Sequence, residues 1–387
     1  MSEPQNTRRE LLKTGLSMSA LAATAGLPFW SRLALGAGEE MIPFSDMPEG
    51  FVAPPVAPGA IHYLDTRMID SFYTSNDDFY IIQHYNQPDI AESDYRLRIT
   101  GLVNRELELN LATLKARPKV EIDAGFECGG NSERLFQGLI GNARWGGTPL
   151  RPLLEEAGIA PEGIEVVFYG YDKGTENVRD LNIEQAFGRS MHINDAMLDD
   201  VILAYEMNGQ PLPLYHGAPL RLLVPGWYGV ANVKWLAQIH VQETRYMGRF
   251  MARDYVTLSK RMIGGEERWE ERSVTRIQLK SAIVRVTSNG TGHKVMGFVL
   301  NDGTPLRAVE VSIDGGPWQA AQIDPASSKY SWKLFSYDWS NAAPGEHTLV
   351  SRVIDANGQT QATPEEMPEK PTRWENYAQF PRRILIS

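Results

Sequence analysis

Cys128 is the only cysteine among 387 residues, and it lies in Gly125-Phe126-Glu127-Cys128-Gly129-Gly130-Asn131. A single thiol excludes an intrachain disulfide, a multi-thiolate zinc or iron–sulfur site, and the paired cysteines of a covalent haem motif. Three roles are left: a buried apolar thiol, a nucleophile, or one thiolate ligand to a metal cofactor. The flanking glycines favour the last two, because backbone without side chains lets a large group approach the sulfur. Other residues of chemical interest are spread along the chain. His84 lies between Gln83 and Tyr85, His216 lies in Tyr215-His216-Gly217-Ala218-Pro219, and Tyr255 ends Arg253-Asp254-Tyr255. Arg221 and Lys234 flank the turn Pro225-Gly226-Trp227-Tyr228-Gly229. A hairpin with a cation on each side could grip a phosphate. Taken singly, a histidine is ordinarily just hydrogen-bonded, and a lysine or arginine is ordinarily solvated. Only their convergence on Cys128 would make a site.

Several segments would have to position these residues. Thr7-Arg8-Arg9-Glu10-Leu11-Leu12-Lys13 precedes an uncharged stretch from Thr14 to Trp30 and a small-residue exit, Ala34-Leu35-Gly36-Ala37. That order describes an export signal, and the paired arginines resemble the twin-arginine class, which carries folded cargo. An uncleaved anchor needs ~18 strongly apolar residues, and this run is diluted with Thr, Ser, Gly and Ala. Residues 1–40 are therefore expected to be a signal peptide, giving a periplasmic protein with no stable membrane anchor once it is removed. Residues 41–60, rich in Pro, Met and Gly, read as an extended arm.

From 61 to 262 the pattern is mixed. Tyr95-Arg96-Leu97-Arg98-Ile99 alternates as a strand does, Leu150 to Gly158 reads as a short helix with a glycine stop, and Val166–Tyr169 and Leu220–Val224 look like buried strands. No βαβ rhythm and no nucleotide-binding glycine fingerprint appear. An irregular mixed α/β catalytic domain is expected, and an α+β chain. From 263 to 387 the texture is all-β. Val309, Val311 and Ile313 alternate before the turn Asp314-Gly315-Gly316, and Pro344-Gly345-Glu346 precedes Leu349 to Val353. This spacing suggests an immunoglobulin-like sandwich. The charged Gly264-Gly265-Glu266-Glu267-Arg268 lies near the junction.

The net charge is −10, with 42% hydrophobic and 10% aromatic residues. That is an ordinary globular composition, and it argues against broad nucleic-acid binding. An acidic protein suits a partner with a basic face, such as a small cytochrome.

The motifs, in order, resemble the sulfite oxidase family of molybdenum-pterin oxidoreductases. The densest stretch runs from Ile202-Leu203-Ala204-Tyr205-Glu206-Met207-Asn208-Gly209 through His216-Gly217 and Arg221 to Val224-Pro225-Gly226. Val233-Lys234-Trp235-Leu236 and Arg253-Asp254-Tyr255 follow, with Cys128-Gly129-Gly130-Asn131 and Ala143-Arg144-Trp145 upstream. The resemblance covers about residues 61 to 387. It implies a molybdenum–molybdopterin cofactor with Cys128 as thiolate ligand to the metal, a soft donor suited to it. It also implies His84, His216, Arg221 and Lys234 as cofactor-binding residues and Tyr255 as the active-site phenol. The chemistry implied is oxygen-atom transfer, with the C-terminal domain making a homodimer. No Cys-x-x-Cys-His occurs, so no haem is expected in this chain, and electrons would pass to an external c-type cytochrome or haem subunit.

The chain departs from the family where arginines are expected. The pattern Phe-x-Val-Arg-Asn-His appears as Phe79-Tyr80-Ile81-Ile82-Gln83-His84, with Ile82 at the arginine position. Ala231 stands at the arginine position of Gly-x-Arg-x-Val-Lys-Trp, Glu133 at the one after the cysteine, and Trp374-Glu375-Asn376-Tyr377-Ala378 replaces Trp-Asn-Leu-Arg-Gly. A buried charge-assisted contact is worth ~1.5–3 kcal/mol, so such losses bear on a sulfite dianion. Arg134, Arg144 and Arg189 are candidates to substitute. Three readings follow: oxidation of sulfite to sulfate, which is the leading one; a same-fold molybdoenzyme for a less charged substrate, such as a sulfoxide or another small sulfur compound; and a non-catalytic exported binding protein.

Overall fold

The computed structural model describes residues 35, 38–47, 51–54 and 61–387. Most of the expected export signal, including the paired arginines, lies outside the described residues, as do parts of the 41–60 arm.

Two five-stranded sheets carry the region that holds Cys128. In one, Arg221–Leu223, Ile202–Met207, Ile140–Pro149 and Val120–Glu127 run antiparallel in that order, and Gln210–Pro211 pairs with the second. In the other, the order is Leu107–Leu109, Leu97–Gly101, Leu236–Gln242, Glu165–Val178, Leu181–His192. Only the Leu97–Gly101 and Leu236–Gln242 pair in that sheet is parallel. This corrects the expected α+β class and its irregular α/β domain. The protein is mostly β, 44% strand and 9% helix, with four α-helices among the described residues. The longest, Arg151–Ala157, stops at Gly158, whose φ of 70° a glycine adopts without strain.

The physical reason lies in how the strands are buried. Ile140–Pro149 is buried at eight of its ten residues, so no polar–apolar alternation marks it. Strands of this kind read as irregular apolar text, and their pairing is with partners far away in sequence.

Two more sheets make the C-terminal region. Glu40–Ile42, Lys280–Ser288, His293–Leu300, Lys333–Trp339 and Gln322–Ile323 form the first, and Gln319–Ala320, Leu306–Ile313, Gly345–Asp355 and Arg382–Ile386 the second. Ile283, Val286, Val299, Val311, Phe335 and Val353 fill the space they share. Ala282, Val284, Met296, Phe298 and Leu334 belong instead to the core that also holds Phe168, Leu203 and Tyr255. The first sheet is thus buried on both sides, with alternate residues serving two cores. A separate hairpin, Val256–Ile263 and Glu266–Ser273, turns at Gly264-Gly265, and the expected 262/263 boundary falls in it.

A buried ion pair ties the two regions together. Lys280 Nζ lies 2.5 Å from Glu127 Oε1, with side chains 1% and 2% exposed. The same ammonium donates to Gln137 Oε1 at 2.7 Å, and Asn131 Nδ2 donates to Glu127 at 3.1 Å. Removing one partner of such a pair strands the other charge, at about 3–5 kcal/mol. We expect Lys280→Met to lower unfolding stability by that order in chemical denaturation. The double variant Lys280→Met/Glu127→Leu should recover most of the loss. A single variant as stable as the parent would show that the pair is not needed.

Candidate active site

Cys128 is the first residue after the strand Val120–Glu127, where the chain makes a tight turn. Its N–H donates to Leu139 O at 2.9 Å, and its carbonyl accepts from Asn131 N–H at 2.9 Å. Asn131 also accepts from Leu139 N–H and donates to Gln137 O, which closes the loop on itself. The glycines are needed for close approach. A Cβ on Gly130 would lie 3.1 Å from the Trp374 ring, and one on Gly129 would lie 3.0 Å from Val274. Burial pushes the Cys128 thiol up to about 11, while the Gly130 N–H, Arg373 and the Tyr255 hydroxyl act to lower it. The free thiol therefore keeps its proton at neutral pH, and a bound metal cation is what would displace it.

Tyr255 sits at a φ of 56°, between the short helix Arg249–Ala252 and the strand Val256–Ile263. Its hydroxyl is 2.8 Å from His84 Nε2, and its ring stacks on Trp374 at 4.3 Å. Burial raises the phenol well above its ordinary range, and the nearby Cys128 adds to this. Burial also pushes His84 down to about 3, helped by Lys234, Arg249 and Arg189. The tyrosine and the imidazole are therefore both neutral, so a proton passes along the pair without separating charge only when the phenol takes one up as it gives one to His84.

The other end of the cleft is cationic. Arg221 opens the strand Arg221–Leu223, and its two terminal nitrogens donate to His216 O and Asn232 O. Lys234 Nζ donates to Tyr215 O at 2.9 Å and lies over the Trp235 ring. Burial, then Arg221, pushes Lys234 down to about 7, against the pull of Asp172. His216 Nε2 is 2.7 Å from Asn76 O, which can only accept, so Nε2 carries the proton. Its pKa, pushed down to about 3 mainly by burial, leaves Nδ1 free to accept. Gly217, at φ 109°, lets the two cations meet: a Cβ there would lie 2.9 Å from Lys234 Cβ and 3.2 Å from Arg221 Cβ. Cys128, His84, His216, Arg221, Lys234 and Tyr255 all line one cleft of about 630 Å³, counted with the space open to solvent.

Residues 84–250 match the family model described as an oxidoreductase molybdopterin binding domain. Chicken sulfite oxidase is 31% identical over 325 residues, covering 76% of this chain and 69% of that protein. The chain belongs to the sulfite oxidase family. The Arabidopsis thaliana sulfite oxidase is 28% identical, covering 76% of this chain and 84% of its own. The macaque mitochondrial enzyme is 30% identical, and the match spans 57% of it. Among solved structures, the sulfane dehydrogenase SoxCD of Paracoccus pantotrophus superposes with a TM-score of 0.72 at 25% identity, covering 96% of both chains.

The family's cofactor is a molybdenum–molybdopterin, and the cleft fits it. Arg221 is 4% exposed with no carboxylate partner, and its Nε has no hydrogen-bond partner among the described residues. An uncompensated buried guanidinium is costly, and a phosphate supplies the missing countercharge and acceptors. Asp172, 3% exposed, leaves Oδ1 likewise without a partner, and burial raises its carboxyl to about 7. That oxygen suits the N–H groups of a pterin. The sequence reading missed Asp172, because nothing in Tyr171-Asp172-Lys173 marks it, and the strand irregularity between Tyr169 and Lys173 shows only in the fold.

Of the three candidate arginines, only Arg189 lies at the reaction end. Arg134 is exposed in the turn Glu133–Leu135. Arg144 is spent on Asp123 and Tyr73. Arg189 is buried next to His84 and Tyr255, but both terminal nitrogens are bonded to the carbonyls of Phe250 and Val274. The structure also brings Trp374 and Arg373 there; the tryptophan was legible from the family pattern and the arginine was not.

Gly217→Ala should push Arg221 and Lys234 apart and strain the left-handed turn. We expect molybdenum and pterin content per chain to fall several-fold, by metal analysis and pterin fluorescence. Parental content would show that the close approach is dispensable.

Proposed function

We propose that this protein oxidises a sulfur oxyanion, with sulfite as reference substrate, by oxygen-atom transfer, and passes the electrons to an external c-type cytochrome or haem subunit. The observation that carries this reading is the meeting of the Cys128 thiol, the Tyr255 hydroxyl and the His84 ring at one end of a cleft whose other end is cationic. Molybdopterin, when bound, supplies two-electron oxygen-atom chemistry. Cys128 would hold the metal, and Arg221, Lys234, His216 and Asp172 would hold the pterin and its phosphate. Tyr255 would present its hydroxyl to the reacting oxygen and relay a proton through neutral His84. Phe187, stacked on His84 at 4.9 Å, and Trp374 exclude water from that relay.

A second reading, a less charged sulfur compound, is favoured by Ile82 in the cleft wall and by its aromatic lining of Phe79, Tyr80, Phe126 and Phe187. The likeness to a sulfane dehydrogenase supports chemistry at sulfur under either reading. We further propose export by the twin-arginine route to the periplasm, a catalytic domain over 61–262, and a homodimer made through the 263–387 domain. A monomer at micromolar concentration in light scattering would count against the dimer.

Steady-state assays with sulfite and with sulfoxides separate the two substrate readings. We expect sulfite-dependent reduction of cytochrome c. Tyr255→Phe should lower kcat about 100-fold or more. Cys128→Ser should abolish turnover while keeping the fold. Faster turnover of a sulfoxide than of sulfite would replace the first reading by the second, and normal turnover by Cys128→Ser would sink both.

A further inference from the structure

The family's arginine positions are held here by Ile82, Ala231, Glu133 and Tyr377. An anionic substrate nonetheless needs a cation near the thiol and the phenol. Arg134 is exposed on its own turn, Arg144 is bound to Asp123 and Tyr73, and Arg189, buried beside Tyr255, has both terminal nitrogens on backbone carbonyls.

One loop next to the cysteine carries an arginine without an ion-pair partner. Glu375 N–H donates to Gly129 O at 2.7 Å, and Asn376 Nδ2 donates to Asn131 O at 3.0 Å. Lys370 Nζ bonds Trp374 O and Asn376 Oδ1, and the buried Glu375 carboxylate accepts from Thr257 Oγ1 at 2.6 Å. The loop is therefore clamped from both sides onto the turn that holds Cys128. It places Trp374 on the Tyr255 ring and the Arg373 guanidinium 4.5 Å from the centre of the Trp374 ring. Arg373 is exposed, and no carboxylate lies within ion-pair distance among the described residues. Its charge reaches both Cys128 and Tyr255. Two neighbouring arginines are engaged: Arg253 with Glu176, and Arg272 with Glu270 and Glu375.

We propose that Arg373 binds the anionic group of the substrate, so that one arginine on an aromatic shelf does what the family pattern assigns to a cluster. This rests on the oxyanion reading above. Guanidinium is the fitting group, because it stacks on indole through its plane while its N–H edge faces an oxyanion. An exposed cation is screened by salt, so substrate binding should weaken as ionic strength rises.

The test uses the full-length holoenzyme with Arg373→Gln and Arg373→Lys. We expect the sulfite KM of Arg373→Gln to rise about tenfold or more, with a much smaller fall in kcat. Arg373→Lys should recover part of the loss, molybdenum content should stay at the parental level, and the salt dependence of KM should flatten in Arg373→Gln. Sulfate titrated calorimetrically into the same holoenzymes gives a readout independent of turnover. Saturable sulfate binding that is lost in Arg373→Gln supports the assignment even if sulfite proves not to be a substrate, in which case only the substrate reading falls. Equal sulfate affinity in parent and variant, no sulfate binding by the parent, or an unchanged sulfite KM overturns it.

Discussion

The architecture depends on a buried ion pair. Lys280 and Glu127 come from different sheets and meet beneath the cysteine turn with almost no contact with water. Two charges taken from water repay that cost only when geometry is close and their other donors are used. Gln137 and Asn131 use some of them, although one oxygen of Glu127 has no partner among the described residues. Because Glu127 directly precedes Cys128, the pair fixes the direction in which the thiol leaves its strand. The C-terminal sandwich thereby takes part in aiming the Cys128 thiol, in addition to packing against the region that carries it.

The cleft divides its electrostatics along its length. At one end Arg221 and Lys234 are held close by backbone carbonyls and by the absence of a side chain at Gly217, and burial weakens their hold on protons. Such a site is tense until an anion enters it. At the other end His84, Tyr255 and Trp374 form a neutral aromatic stack around the thiol. Cations with unmet hydrogen-bonding needs are concentrated at one end of the cleft, while the reacting end is aromatic, with the buried Arg189 held on backbone carbonyls and Arg373 standing outside it.

Much of the site could be read in the chain because its chemistry depends on residue type. A lone cysteine between glycines, a histidine–glycine–arginine run and a lysine before a tryptophan each have few uses. Arg373 could not be read, because an arginine in Lys370-Pro371-Thr372-Arg373 looks solvated until the loop is seen against Gly129 and Asn131. Asp172 was hidden for the same reason. The mixed α/β reading of the catalytic region failed because burial on both faces erases the alternation by which strands are recognised. The run Val309, Val311 and Ile313, in a strand that contacts only one core, kept its alternation and was legible.

The sequence by itself determined the donor set: one thiol, two cations beside a turn, and a phenol, because these are properties of side chains and of glycine backbone. It also determined the loss of the usual arginines. The tertiary structure decided which groups share a cleft, which oxygens and nitrogens are left without partners, and which cation stands near the sulfur. Those are matters of distance and burial, set by strands that pair across long stretches of chain.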